Sequence, residues 1–192
     1  MEIVIATNNI NKVKEYNEIL SPLGFNCLSL KDLNIICDPE ETGSTFKENA
    51  LIKAKEIAKY TNKVILADDS GMEVDAYPNL LGIYSHRFLE NEPYSIKNAT
   101  LIEMLKDKIK TARYVCAIAL INFNDQELFF EGICEGHISD ISKGNNGFGY
   151  DPIFIPSGLD KTMAELESDE KNKISHRGIA SNKLVEYLKG IK

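Results

Sequence analysis

An apolar run that ends in two adjacent aspartates sets the first constraint on this chain. Val64 to Ala76 reads VILADDSGMEVDA, and its first four residues have the side chains of a buried strand. Asp68 and Asp69 follow at once, with Ser70 and Gly71 behind them. Alternation along an extended backbone sends the two carboxylates to opposite faces, which relieves part of their repulsion and leaves each in need of a cation. A strand is expected from about Lys63 to Ala67, with the aspartates at its C-terminal end, where ligands of open α/β sheets commonly bind. Two readings fit. Carboxylates without histidine or thiolate suit Mg²⁺ beside phosphate oxygens, and an Asx turn would instead use them to cap backbone amides.

The flanking segments alternate between strand-like and helix-like periodicity, with no repeat or low-complexity linker, which predicts an α/β or α+β domain. Glu2 to Ala6 (EIVIA) reads as a buried first strand. The polar TNNIN follows, then a helix whose Val13, Tyr16 and Leu20 recur at spacings of three and four. A strand, polar loop and helix start presents backbone N–H groups and a positive dipole end to an anion, with Lys12 and Lys14 close by. It equally suits an ordinary turn with Asn residues capping the helix. The loop lacks the spacing of a P-loop. A second helix is announced by Thr45 and Glu48 at capping-box spacing and by a stripe of Phe46, Ala50, Ala54, Ile57 and Ala58. Lys47, Lys53, Lys55 and Lys59 fall on its polar side, and Glu40 and Glu41 precede it, where acidic residues suit the helix dipole.

Two long strands, ARYVCAIALINF and QELFFEGICEGHI, are expected to form a hairpin with Asn124 and Asp125 as turn residues. Then Gly144, Gly147 and Gly149 surround Phe148, Tyr150 and Asp151. Glycines let a backbone approach a ligand and an exposed aromatic can stack on a base, although a Gly-rich hairpin with its aromatics in the core reads equally well. Lys171, His176 and Arg177 precede a C-terminal helix carrying Ile179, Leu184, Val185 and Leu188, and read as a polar loop with Ser175 as helix cap.

Length, charge and composition narrow the function. The 192 residues are enough for a substantial core and read as one compact unit. A net charge of −7 without a Lys/Arg run argues against a nucleic-acid polymer, while leaving room for a small anion. No segment approaches the roughly 20 apolar residues of a membrane span, so a soluble intracellular protein is expected. Cys27, Cys37, Cys116 and Cys134 form no C-x-x-C pair and read as buried reduced thiols. His86, His137 and His176 are too scattered for a histidine metal centre.

Six segments, in order and along nearly the whole chain, resemble the inosine triphosphate pyrophosphatase (HAM1-like) family: ATNNINKVKE, EETGSTFKENALIKA, ADDSGMEVDA, GIYSHRF, GFGYDPIF and EKNKISHRGIAS. The likeness is closest to bacterial and archaeal members. It implies one domain over residues 1–192, an elongated α/β subunit with a mixed central β-sheet flanked by helices, and two lobes around an active-site cleft. It further implies a cytoplasmic homodimer that hydrolyses ITP, dITP and XTP to the monophosphate and pyrophosphate with Mg²⁺, and so cleans the nucleotide pool.

Carried residue by residue, the resemblance assigns the triphosphate to Thr7, Asn8, Asn9, Ile10, Asn11 and Lys12. Asp69 would be general base and metal ligand, with Glu40 or Glu41 as a further ligand and their roles not separated. Lys53 would be the one lysine of its helix to face phosphate, with Asp68 beside the base and Ser70 on the nucleotide. Phe148 would stack on the purine, and Gly149, Tyr150, Asp151, Lys171, His176 and Arg177 would complete its pocket. Arg177 and Lys171 only donate hydrogen bonds, so they would favour a 6-oxo purine over adenine. Asn8 stands where many relatives have glycine, and asparagine is the next best residue for a left-handed backbone. A nucleotide-binding regulatory module would not need Asp69, Lys53 and the glutamates. A pyrophosphatase for modified pyrimidines would use the same acids and phosphate loop with another pocket.

Overall fold

The computed structural model describes residues 1–190. Its strands are β1 (Glu2–Ile5), β2 (Asn26–Ser29), β3 (Val64–Val74), β4 (Thr111–Phe123), β5 (Gln126–Ile138) and β6 (Phe154–Pro156), in sheet order β2-β1-β3-β4-β5-β6. The helices are α1 (Ile10–Leu20), α2 (Phe46–Ile57), α3 (Tyr94–Met104), α4 (Ser168–Ile174) and α5 (His176–Gly190). Pairing is parallel for β1 with β2 and β3, and antiparallel for β5 with β6. The sheet is therefore mixed, as expected. Contacts divide the chain into two compact units. Among the described residues, one holds 1–69, 116–132 and 177–190, and the other holds 70–115 and 133–176.

In the first unit, strand alternation builds two cores. Ile3, Ile5, Leu66, Cys116, Ile118 and Leu120 point to one face and meet Tyr16 and Leu20 of α1 and Ala180, Leu184 and Leu188 of α5. Val4, Ile65, Ala67, Ala119 and Ile121 point to the other face and meet Ala50, Ala54 and Ile57 of α2. Both faces are covered, which is why β1 reads as a continuous apolar run. Parallel neighbours need crossovers, and α1 and α2 supply them on opposite faces, so the strand order reverses at β1. Asn9 caps α1 by accepting from the Asn11 and Lys12 amides. Thr45 caps α2 by accepting from Glu48 N at 3.1 Å. The reciprocal half of the expected capping box is displaced by one residue, because the Glu48 carboxylate takes the Ser44 amide and hydroxyl at 2.7 Å each.

The second unit packs Met72, Val74, Leu81, Leu101, Leu105, Tyr114 and Phe154 into one core. Between β4 and β5, Asn124 (φ 51°) and Asp125 (φ 55°) are both left-handed, the signature of a primed two-residue turn.

Three expectations need correction. β3 does not stop at Ala67; it runs on through both aspartates to Val74. What ends there is its ladder with β1, whose last paired residues are Ile5 and Leu66. The segment before α5 is not a loop, since Lys171 lies on α4 and Ser175 closes that helix. Asn8 is not left-handed: the non-glycine residues of positive φ among those described are Asn34, Leu89, Asn91, Asn122, Asn124 and Asp125. Asn8 instead donates through its side chain to Cys37 O at 2.9 Å, a tie that glycine could not make. Of the four thiols, Cys116 and Cys134 are buried and Cys27 and Cys37 half-buried, all free.

Candidate active site

The two aspartates face opposite cores, and each meets its own set of partners. Asp68 follows Leu66 onto the α1/α5 face and is 1% exposed. There Lys12 Nζ lies 2.9 Å from its Oδ2 and Arg177 donates to the same atom at 3.1 Å. Arg177, itself 1% exposed, also pairs with Glu15 of α1. Burial alone would raise the Asp68 carboxyl, but Lys12, Arg177 and Lys53 outweigh it and hold its pKa far below the ordinary range. Asp68 is therefore a fixed anion at neutral pH. Its remaining oxygen, Oδ1, is buried without a hydrogen-bond partner.

Asp69 follows Ala67 onto the α2 face. Asn49 donates to its Oδ2 at 3.0 Å, and Lys53 Nζ lies 3.5 Å from its Oδ1. The same ammonium sits 2.6 Å from Glu41. Burial raises the Asp69 pKa; Lys53 opposes the shift, and Glu41 adds to it. For Lys53, burial acts downward, yet Asp69, Asp68 and Glu41 together leave its pKa raised. The outcome is a carboxylate of enhanced basicity beside a permanent cation. Asn49 also accepts from Gly43 N at 2.8 Å, which ties the Glu40–Glu41 loop to Asp69. Glu40 is exposed whereas Glu41 is half-buried. Lys47, Lys55 and Lys59 are exposed, so Lys53 is the lysine of α2 that enters this cluster.

The loop between β1 and α1 is held from within. Asn9 N donates to Thr7 Oγ1 at 3.2 Å, and Asn9 Oδ1 accepts from Asn11 N at 3.0 Å and Lys12 N at 3.4 Å. These capping bonds shape the turn and aim Lys12 at Asp68. Ile10 is 74% exposed, Asn11 is exposed and Thr7 half-buried. Lys14 points to solvent, 3.7 Å from Glu18. Ser70 is half-buried in β3 directly after Asp69.

A separate cluster forms in the second unit. Asp151 is 3% exposed; it accepts from Phe148 N at 2.8 Å and pairs with Lys171 Nζ at 2.7 Å. Tyr114 donates to its other oxygen at 3.4 Å and stacks on His176 with ring centroids 4.6 Å apart. Lys171 lies 5.0 Å from the centre of the half-buried Phe148 ring. Tyr150 is a core residue whose hydroxyl donates to Ser85 O at 2.7 Å. Gly147 (φ +71°) is the tightest point, because a Cβ there would stand 2.1 Å from Asp151 Oδ2. Gly147→Ala is thus expected to dislodge the Asp151–Lys171 pair, lowering Tm by about 4–12 °C for roughly 2–3 kcal/mol of strain. A melting curve matching wild type would show that the loop yields freely.

Sequence reasoning places most of these residues and misses Glu15, Asn49 and Tyr114. Asn49 carries a signal, since a polar residue one turn after Phe46 and one before Lys53 falls beside the apolar stripe of α2. Glu15 sits next to buried Tyr16, one turn beyond Lys12, for the same reason. The sequence groups Arg177 with Lys171 and His176, but its two terminal nitrogens are engaged by Glu15 and Asp68. The Asp69 and Glu41 carboxylates both lie against the Lys53 ammonium, at 3.5 and 2.6 Å, and are the oxygen donors nearest to hand for a hard cation. Two carboxylates with substrate oxygens fit Mg²⁺, and no group of three or more potential ligands exists among the described residues.

Known proteins match all or nearly all of the chain. It is 47% identical to a dITP/XTP pyrophosphatase of Exiguobacterium sp. over 99% of its residues and 100% of that protein. It is 44% identical to a dITP/XTP pyrophosphatase of Bacillus subtilis strain 168, covering 97% and 96% of the two chains. The Ham1 protein of Staphylococcus aureus superposes with a TM-score of 0.87 at 41% identity, covering all of both chains. The model of the Ham1 family matches residues 3–187, and the chain belongs to that family.

Proposed function

We propose that the chain is a nucleoside-triphosphate pyrophosphatase that hydrolyses ITP, dITP and XTP to the nucleoside monophosphate and pyrophosphate. Relatives named dITP/XTP pyrophosphatases support the substrate class. The observation that carries the chemistry is Asp69, a buried carboxylate of raised pKa held by Asn49 and Lys53. A base must sit near its working pH and within reach of the proton it takes. Asp69 orients a water in line with the bridging oxygen between the α and β phosphates and accepts its proton as oxygen bonds to the α phosphorus. The bond to the bridging oxygen breaks and pyrophosphate departs. Lys12 and Lys53 offset the charge that builds on the phosphates, and Thr7 to Lys12 cradle them.

Mg²⁺, when bound, supplies further neutralisation of the phosphate oxygens. Asp69 and Glu41 would hold it, Glu41 rather than Glu40 because it shares the Lys53 ammonium with Asp69. Glu41→Gln should accordingly raise the Mg²⁺ concentration needed for half-maximal rate by about tenfold or more, following the 10–100-fold scale of ligand-sphere changes. Glu40→Gln should leave it within twofold. A Mg²⁺ titration of both variants reads this directly, and the reverse order would reassign the ligand.

The second cluster takes the base. Phe148 stacks on the purine, and Lys171 and His176 line its edge with Gly149, Tyr150 and Asp151 behind. Lys171 carries the preference for a 6-oxo group, because an ammonium cannot pair with the amino group of adenine. Arg177 acts chiefly by holding Asp68. We place the enzyme in the cytoplasm, where the nucleotide pool lies, as a homodimer of one domain over residues 1–192. No described helix is long and apolar enough to cross a membrane.

Pyrophosphate and orthophosphate release from ITP, XTP, dITP, GTP, ATP and dUTP tests the proposal. Pyrophosphate from ITP, dITP and XTP far above ATP and GTP is the expected result. Orthophosphate as product, or a preference for dUTP, would overturn it.

A further inference from the structure

Helix α3 carries polar side chains into the core of the second unit, and one of them is only half satisfied. Asn98 is 3% exposed. Its Nδ2 donates to Gly149 O at 3.1 Å, while its Oδ1 is buried with no hydrogen-bond partner. A buried acceptor without a donor opposes folding, whereas an apolar side chain of similar size avoids that penalty. Packing alone therefore gives no reason for asparagine here. The bond to Gly149 does.

That bond ends on the backbone between Phe148 and Tyr150. The neighbours of Gly149 are each tied elsewhere: Phe148 N to Asp151, and the Tyr150 hydroxyl to Ser85 O. Tyr94, on the same helix as Asn98, sets its ring edge-on to Tyr150 at 5.2 Å. Gly149 has φ +69°, and a Cβ there would meet Tyr94 only at an ordinary 3.7 Å. Conformation, not space, requires glycine. Such a residue has no side chain by which to be held and is held through its backbone, where Asn98 takes the carbonyl. Helix α3 is itself anchored one residue earlier, where buried Lys97 donates to His86 O at 2.9 Å.

We propose that Asn98 is a positioning residue that fixes the Gly149 carbonyl and thereby sets the Phe148 ring for stacking on the purine. This rests on the reading of Phe148 as the base-stacking ring. Its effect belongs to nucleobase affinity and not to phosphate chemistry, because the backbone it holds is that of the Phe148–Asp151 segment and not of Lys12, Lys53 or Asp69.

The test compares wild type with Asn98→Leu, which replaces the half-satisfied amide by an apolar group, and Asn98→Ala, which removes the donor without adding bulk. Five quantities are read: Kd for ITP by calorimetry, KM and kcat for ITP, the inhibition constant of inorganic triphosphate, and Tm. Loss of one hydrogen bond predicts that Kd and KM for ITP rise about five- to tenfold. The kcat should stay within twofold, triphosphate inhibition should be unchanged, and Asn98→Leu should melt no lower than wild type. Unchanged ITP affinity in both variants would overturn the inference alone. A parallel loss of ITP and triphosphate binding with a fall in Tm would also overturn it, by showing a merely structural residue. Wild type that binds ITP no better than inorganic triphosphate would overturn the nucleobase reading, and the inference with it.

Discussion

Asp69→Asn is expected to lose about 10²–10⁴-fold in turnover of ITP, the range for removal of a general base, while melting no lower than wild type. The substitution preserves shape, the Asn49 amide still finds an oxygen to donate to, and Lys53, which loses its longer contact at 3.5 Å, keeps Glu41 at 2.6 Å. It removes the carboxylate that, in the proposed mechanism, accepts the proton. The stability half follows from the direction of the pKa. Burial first, with Glu41, raises the Asp69 carboxyl above its ordinary 3.8. For such a group the folded state favours the protonated form, so the stability that it contributes is full below the unfolded pKa and is lost as pH rises through the folded pKa. At neutral pH ionised Asp69 is a burden on the fold, and a neutral amide relieves it. The same shift predicts that the acidic limb of kcat/KM in wild type lies above 3.8. Pyrophosphate release and thermal melts of the two proteins, taken over a pH series, check both halves. Retained turnover would remove Asp69 from the mechanism.

The same change one residue earlier should do the opposite to stability. Asp68→Asn is expected to lower stability by about 3–5 kcal/mol, the usual consequence of breaking a buried ion pair from one side, or roughly 6–20 °C in Tm for a chain of this size. Lys12 and Arg177 would then lose the carboxylate that they share at 2.9 and 3.1 Å. Arg177 keeps Glu15, which bounds the loss, and turnover should also fall because Lys12 is no longer held. Here the folded pKa is depressed, since Lys12, Arg177 and Lys53 outweigh burial. The contribution is therefore present above the unfolded value of about 3.9 and is lost as pH falls toward the folded one. The deficit between variant and wild type should be full at neutral pH and narrow below about pH 4. Denaturant midpoints at pH 7 and at pH 3.5 measure it. Equal stability at pH 7 would mean that the Lys12–Asp68–Arg177–Glu15 network is not what holds α1 and α5 to this face.

Much of this is legible in the order of the residues. The alternation that sends Asp68 and Asp69 apart is a property of extended backbone, and it persists although β3 runs on to Val74. The paired turn residues Asn124 and Asp125 mark the β4–β5 hairpin, and the stripe of Phe46, Ala50, Ala54 and Ile57 marks the buried side of α2. The reading of Lys171 as a loop residue fails because α4 is a helix of 7 residues, too short to establish a period. The reading of Asn8 fails because a glycine replacement suggests a backbone role, and its actual role is a side-chain bond to a carbonyl 29 residues away.

Residue order alone placed β1, β3, β4 and β5 and the helices α1, α2 and α5, because their periodicity depends on backbone geometry over a few neighbouring residues, whereas β2, β6, α3 and the short α4 did not stand out in it. It also placed Asp68 and Asp69 on opposite sides. Which cation serves which carboxylate depends instead on long-range packing. Arg177 reaches Asp68 across 109 residues of chain and Glu15 across 162, and Asn49 reaches Asp69 across 20. Packing α1 and α5 on one face and α2 on the other puts Arg177 and Lys12 on Asp68's side and Asn49 with Lys53 on Asp69's. Two identical side chains, adjacent in sequence, thereby acquire opposite pKa shifts, Asp68 held ionised and Asp69 biased toward its protonated form.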